Sequence, residues 1–182
     1  TYEFKRGDYL INLNHRVINQ SNNEWVGSQY RQIQRSRPLE TSKLLYTYTG
    51  AVVYNEEIKY EKIDFDDMEE KAFQLESSGG WAAMIHHYFL SAWIAQPEEK
   101  NLLYSISNTK RYPATYTIGM RSDNQQIAAG SESEFNSQLF VGPKLVKRLE
   151  EITPGLELTV DYGALTFLSK PLYWVLSFFY DL

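Results

Sequence analysis

The chain has no cysteine, only three histidines and no excess of positive charge. Without cysteine there is no thiol catalysis, no cysteine-based zinc site and no disulfide; the compartment stays open. With 18 Lys and Arg against 23 Asp and Glu, the net charge is −5, so a nucleic-acid partner has no electrostatic support. The basic residues are scattered, apart from Lys144, Lys147 and Arg148. There is no internal repeat and no low-complexity tract. The opening "TYEFKRGDYL" has neither Met nor a signal-peptide pattern and begins inside a strand-like run. The expectation is a piece of a longer protein, with targeting or membrane segments outside it.

What is present reads as one ordinary globular domain. The 182 residues are 43% hydrophobic and 23% charged, enough for a sizeable core and too apolar for disorder. Aromatics reach 15%, including 14 Tyr, a composition suited to half-buried strands.

The first two-thirds alternate between strand-like runs and turns. "YEFK" and "YLINLNHRVIN" flank Arg6-Gly7-Asp8, which predicts a hairpin turn. In the second run Tyr9, Ile11, Leu13, His15 and Val17 share one face and Asn12, Asn14 and Arg16 the other; period two means a strand with one buried face. "EWVGSQYRQIQRS", "LLYTYTGAVVYN", "IKYEKIDF", "KAFQLES", "WAAMIHHYFLSAWIA", "NLLYSISN", "YTIGMRS" and "EFNSQLFVG" follow. Many short strands without intervening helices predict an antiparallel sandwich or barrel. At Gly142 the character changes: "GPKLVKRLEEITPG" predicts a short amphipathic helix with Pro143 at its start, Leu145, Leu149 and Ile152 on one face, and Pro154-Gly155 as its stop.

The closing run "LTVDYGALTFLSKPLYWVLSFFYDL" sorts by angle. At 100° per residue, Thr166, Ser169, Lys170, Tyr173, Ser177, Tyr180 and Asp181 occupy a sector of roughly 120°. Leu165, Phe167, Leu168, Leu172, Trp174, Val175, Leu176, Phe178, Phe179 and Leu182 fill the rest. The polar stripe disfavours a membrane-spanning helix. Two readings fit: a helix lying in the plane of a bilayer interface, or one packed on the sheet or on another part of the protein. Pro171 predicts a break near Ser169, with Ser169 as N-cap.

The residues that could carry chemistry are few. His86 and His87, read within one strand, point to opposite faces and do not share a metal ion; His15 is the third histidine. Asp64, Asp66, Asp67, Glu69 and Glu70 lack EF-hand spacing and read as a solvated acidic turn. Arg6-Gly7-Asp8 matches an adhesion tripeptide but sits where a turn is expected. Gly79-Gly80 lacks the context of a phosphate loop and reads as a bulge or tight turn before Trp81. No convincing acid–base pair is found, and no catalytic, cofactor-binding or metal site is assigned.

"SSGGWAAMIHHYFLSAWI", "LFVGP" and "PGLELTVDYGALTFLSKPL" resemble the large periplasmic domain of the YidC-type bacterial membrane protein insertases, with likeness also in "FKRGDYLINLNHRVIN" and "GAVVYNEEIKYEKIDF". The resemblance implies a mainly β fold: an antiparallel β-supersandwich similar to galactose mutarotase, here incomplete at its N-terminal side, followed by an α-helical linker. It divides the chain into a sandwich portion, 1–142, and a linker, 143–182. It implies a non-enzymatic docking and scaffold portion at the periplasmic face of the bacterial inner membrane. The whole protein would insert and fold membrane proteins, alone or with the Sec translocon. The implied partners are Sec accessory subunits, the membrane interface through Leu165 to Leu182, and nascent membrane proteins through a core beyond this chain. No cofactor is implied. Relatives tend to carry large aromatics where this chain has Ala164 and Thr166, which weakens anchoring there. A sandwich cut at its N-terminal side leaves strand edges open, from which self-association is expected. The mutarotase likeness keeps one alternative, a carbohydrate-binding or sugar-active domain.

Overall fold

The computed structural model describes residues 1–38 and 48–160. Thirteen strands are defined there: β1 (Tyr2–Phe4), β2 (Leu10–Ile18), β3 (Trp25–Gly27), β4 (Tyr30–Ser36), β5 (Gly50–Asn55), β6 (Lys59–Ile63), β7 (Gln74–Ser78), β8 (Trp81–Ile85), β9 (Phe89–Ile94), β10 (Lys100–Asn108), β11 (Thr115–Ser122), β12 (Gln125–Ile127) and β13 (Glu132–Pro143). Two short helices, α1 (Phe65–Glu70) and α2 (Val146–Ile152), and a 3-10 turn, Leu156–Thr159, complete them. Seven strands form a large sheet in the order β1-β2-β13-β9-β8-β5-β6. Four form a small one, β4-β11-β10-β7, and β12 pairs with β3. Every described strand pairing is antiparallel. The mainly β antiparallel sandwich expected from the strand pattern is therefore present.

The small sheet packs on one face of the large sheet, β11 across β8 and β4 across β9. Ala51, Val53, Ala82 and Met84 of the large sheet meet Leu103, Tyr116, Ile118 and Met120 of the small one. The opposite face of the same strands is also buried: Val52, Tyr54, Trp81, Ala83 and Ile85 lie with Phe140 under Leu149 of α2 and Leu156 of the 3-10 turn. The centre of the large sheet is thus a middle layer. Hence β5 and β8 are buried at every position, and "WAAMI" shows no alternation, as a strand covered on both faces must.

Four local expectations are corrected. "WAAMIHHYFLSAWIA" is two strands, β8 and β9, joined by a turn in which His86 N–H donates to Phe89 O at 2.8 Å; the histidines sit in that turn, not in a strand. "EWVGSQYRQIQRS" is likewise two strands in different sheets, β3 and β4. The acidic run is a helix, α1. Asp67 Oδ2 accepts the backbone N–H of its N-cap Asp64 at 3.1 Å, and Phe65 and Met68, three residues apart, are its buried side. That spacing puts two apolar groups on one helix face while the carboxylates stay outside. Finally, Pro143 ends β13 and does not open α2, whose N-cap is Leu145. Leu145 is exposed, whereas Leu149 is buried and Ile152 packs against the core.

The two glycine turns hold as read. Gly7 has φ 81 in the β1–β2 hairpin. Gly79 and Gly80 have φ 63 and 85 immediately before Trp81, and a Cβ on Gly80 would lie 2.2 Å from Tyr54 O.

Candidate docking surface

The cap over the large sheet is built from a short stretch of chain. Trp81 is fully buried, stacks on Tyr54 with ring centroids 5.6 Å apart, and donates Nε1–H to Pro154 O at 3.1 Å. Gly155 follows with φ 79, and a Cβ there would stand 2.2 Å from the Tyr54 ring. Only glycine satisfies both the left-handed backbone and that approach. The 3-10 turn then buries Leu156 and Thr159, whose hydroxyl donates to Leu156 O at 2.7 Å.

An ion pair fastens α2 from the other side. Asp8, in the β1–β2 turn, accepts the N–H groups of Tyr9 at 2.8 Å and Leu10 at 3.3 Å. Both its oxygens also receive Arg148 Nη2, at 2.8 and 2.7 Å. The Arg148 hydrogen bond is the main reason the Asp8 carboxyl is held below the usual carboxylate range. The adhesion-like tripeptide is therefore a turn whose carboxylate is already engaged.

Beyond this cap the same sheet face turns polar. Asn12 and Asn14 of β2 stand opposite Gln138 and Asn136 of β13. Gln138 Nε2 donates to Asn12 Oδ1 and Asn14 Nδ2 to Asn136 Oδ1, both at 2.9 Å. With Glu3 and Gln96 these amides line an open cleft of about 420 Å³.

Two arginines of β4 point into the layer between the sheets. Arg31 is fully buried, with Nη1 and Nη2 on Glu99 at 3.1 and 2.6 Å and Nη2 on Asn101 Oδ1 at 2.5 Å. Arg35, four residues on, is half-buried, and among the described residues it reaches carbonyl oxygens, Ser36 at 3.2 Å and Ile85 at 3.4 Å. Burial lowers its guanidinium below the ordinary value. It lines a cleft of about 300 Å³ with His86, Phe89 and Ser91. His86 is itself lowered, first by burial and then by electrostatic repulsion from Arg35, His87 and Lys144. His15 lies apart, its Nδ1 2.6 Å from Gln29 Nε2.

Among the described residues there is no cluster of three or more His, Asp or Glu able to hold a metal. No described helix is long and apolar enough to cross a membrane. Leu165, Phe167, Leu168, Leu172, Trp174, Val175, Leu176, Phe178, Phe179 and Leu182, expected at a membrane interface, lie outside the described residues, as does the expected break near Ser169. Sequence reasoning missed both arginine arrangements. Arg31 and Glu99 are 68 residues apart, and nothing local announces their meeting.

Fold and surface together define a β-sandwich module, capped on one face, with an amide-lined cleft on the sheet flank and a second cleft beside Arg35. The YidC periplasmic domain family matches residues 1–175, and the chain belongs to that family. It is 48% identical over its whole length to the membrane protein insertase YidC of Thioalkalivibrio sulfidiphilus, covering 32% of that protein. It is 43% identical over 99% of its length to that of Methylococcus capsulatus, covering 33%. It is 40% identical over its whole length to that of Nitrosococcus oceani, again covering 33%. The chain thus spans about a third of the length of these relatives. The match is to the insertase family and not to a sugar-active one, so the carbohydrate alternative is set aside.

Proposed function

We propose that this chain is the docking and scaffold portion of an inner-membrane protein insertase, acting at the periplasmic face without bond-making chemistry. The family supports this reading. The structural observation that carries it is the cap: α2 and the 3-10 turn are fixed to the sandwich and deliver the chain at Val160 to the aromatic-rich run. The division of labour falls between a sandwich, 1–142, and a linker, 143–182, whose first part docks on the sandwich. The residues from Leu165 to Leu182 lie along the bilayer interface and set the position of the insertase core. The sandwich surface receives Sec accessory subunits, and nascent membrane proteins meet the core. Among the described residues β1 stands at an edge of the large sheet, where a second copy can pair with this one in isolation; a strictly monomeric mass in dilute solution would remove that part of the reading.

The test is co-sedimentation with vesicles containing phosphatidylglycerol. The 182-residue chain should bind, and Trp174→Asp with Phe178→Asp should weaken binding at least tenfold, because each puts a charge on the apolar sector. In the full-length insertase the same pair should impair insertion. Equal binding by both chains would sink the interfacial role of the run.

A further inference from the structure

One end of the sandwich combines exposed aromatic and cationic groups in an otherwise acidic chain. The β8–β9 turn carries His86, His87 and Tyr88, and Phe89 opens β9, with Tyr88 and Phe89 exposed to 70% and 57%. The β10–β11 loop carries Lys110, Arg111 and Tyr112, and Tyr112 is 99% exposed. Strand register places both loops at the same end. Thr115, which opens β11, pairs with Ser36 and with Asn108, while neighbouring Arg35 reaches Ile85 O at the end of β8. Among the described residues no carboxylate bonds to Arg35, His86 or His87. The acidic helix α1 also lies at this end: Arg37 holds its Asp66 and Glu69, while Asp64, Asp67 and Glu70 are exposed.

The chain also leaves the cap from this end. Tyr88 O accepts the backbone N–H of Lys144 at 2.9 Å, and Lys144 Nζ donates to Thr159 O at 3.3 Å. The exit at Val160 is therefore two hydrogen bonds from the β8–β9 turn.

We propose that this end of the sandwich is a second contact with an anionic bilayer: Tyr88, Phe89 and Tyr112 enter the headgroup layer, Lys110 and Arg111 supply attraction, and Arg35 receives a lipid phosphate. Amphipathic aromatic rings favour headgroup depth. Basic residues near an anionic surface each contribute about 1 kcal/mol, and a guanidinium without a carboxylate matches a phosphate in two-pronged geometry. The inference rests on the interfacial reading of the run after Val160, which brings this end to the surface.

The chain's lack of cysteine makes the test direct. Tyr88→Cys, Tyr112→Cys and Glu98→Cys, the last at the opposite end of β9, each accept one environment-sensitive fluorophore. On phosphatidylglycerol vesicles, labels at 88 and 112 should shift to the blue and be quenched by nitroxide lipids, while the label at 98 stays unchanged. Lys110→Gln with Arg111→Gln should weaken binding at least tenfold, and Arg35→Gln about fivefold, with no change on phosphatidylcholine. If the chain binds but the labels at 88 and 112 are silent, this inference fails alone, and the end becomes available to a protein partner. If the chain does not bind at all, the interfacial reading fails and this inference with it.

Discussion

The centre of the large sheet and its β1–β2–β13 flank are made from the same ladder and governed by different physics. In the centre, β5 and β8 are covered on both faces, and nearly every atom of Trp81, Val52 and Ala82 is packed. On the flank, only Leu13, Phe135, Ser137, Phe140 and Gly142 are buried in β2 and β13, while Tyr2 and Phe4 of β1 are exposed and the amides of Asn12, Asn14, Asn136 and Gln138 bond in pairs. Stability is concentrated where the sheet is a middle layer. The flank keeps its backbone order through pairing and leaves its side chains available at the surface.

Graded substitutions can break that contrast. Trp81→Ala should cost about 3–5 kcal/mol, since it removes a fully buried ring, its stack on Tyr54 and the bond to Pro154; urea denaturation with an unchanged m-value would measure it. Arg31→Ala should cost about 3 kcal/mol by leaving Glu99 half-covered and without its cation, and equal stability of the variant would show that this pair is dispensable. Asp8→Asn should cost about 1–2 kcal/mol near neutral pH by weakening the charged hydrogen bond to Arg148. Its pH dependence sharpens the assignment. The Asp8 pKa is depressed by folding, so its stabilisation is complete above the unfolded carboxylate value and is lost as pH falls through the lower folded value. The wild type should therefore approach the Asp8→Asn variant in stability only under acid. Asn136→Ala, on the exposed flank, should change stability by less than about 0.5 kcal/mol; a loss above about 2 kcal/mol would show that the amide ladder is structural.

Much of the fold was legible because its signals are local. The β1–β2 hairpin followed from Gly7 and the period-two alternation of β2, and the turn at Gly79-Gly80 followed from glycines placed before an apolar strand. The errors have separate causes. Period two disappears in a strand buried on both faces, so "WAAMIHHYFLSAWIA" offered no alternation to mark its midpoint, and the turn at His86 has neither Gly nor Asn as punctuation. In α1, one helical turn held by Asp64 and Asp67 is too short to show periodicity, and five carboxylates in seven residues mask Phe65 and Met68. The surface was less legible. The two cationic-aromatic loops, "HHYF" and "TKRYP", lie 20 residues or more apart in sequence, and only the register of β4, β10 and β11 with the hairpin of β8 and β9 brings them to one end. Two of the motifs that carried the family resemblance, "WAAMI" and "GAVVYN", are the strands β8 and β5 of the buried centre.

The attachment of the cap has a mechanical consequence. A pull on the chain at Val160 is borne by the bond from Lys144 to Thr159 O, by Leu156, Gly155 and the bond between Trp81 and Pro154, and by Arg148 to Asp8. These contacts are few beside the paired strands, so a load at Val160 should peel the cap before it opens the strand ladders. The cap would act as a fuse, lengthening the chain beyond it before the sandwich yields.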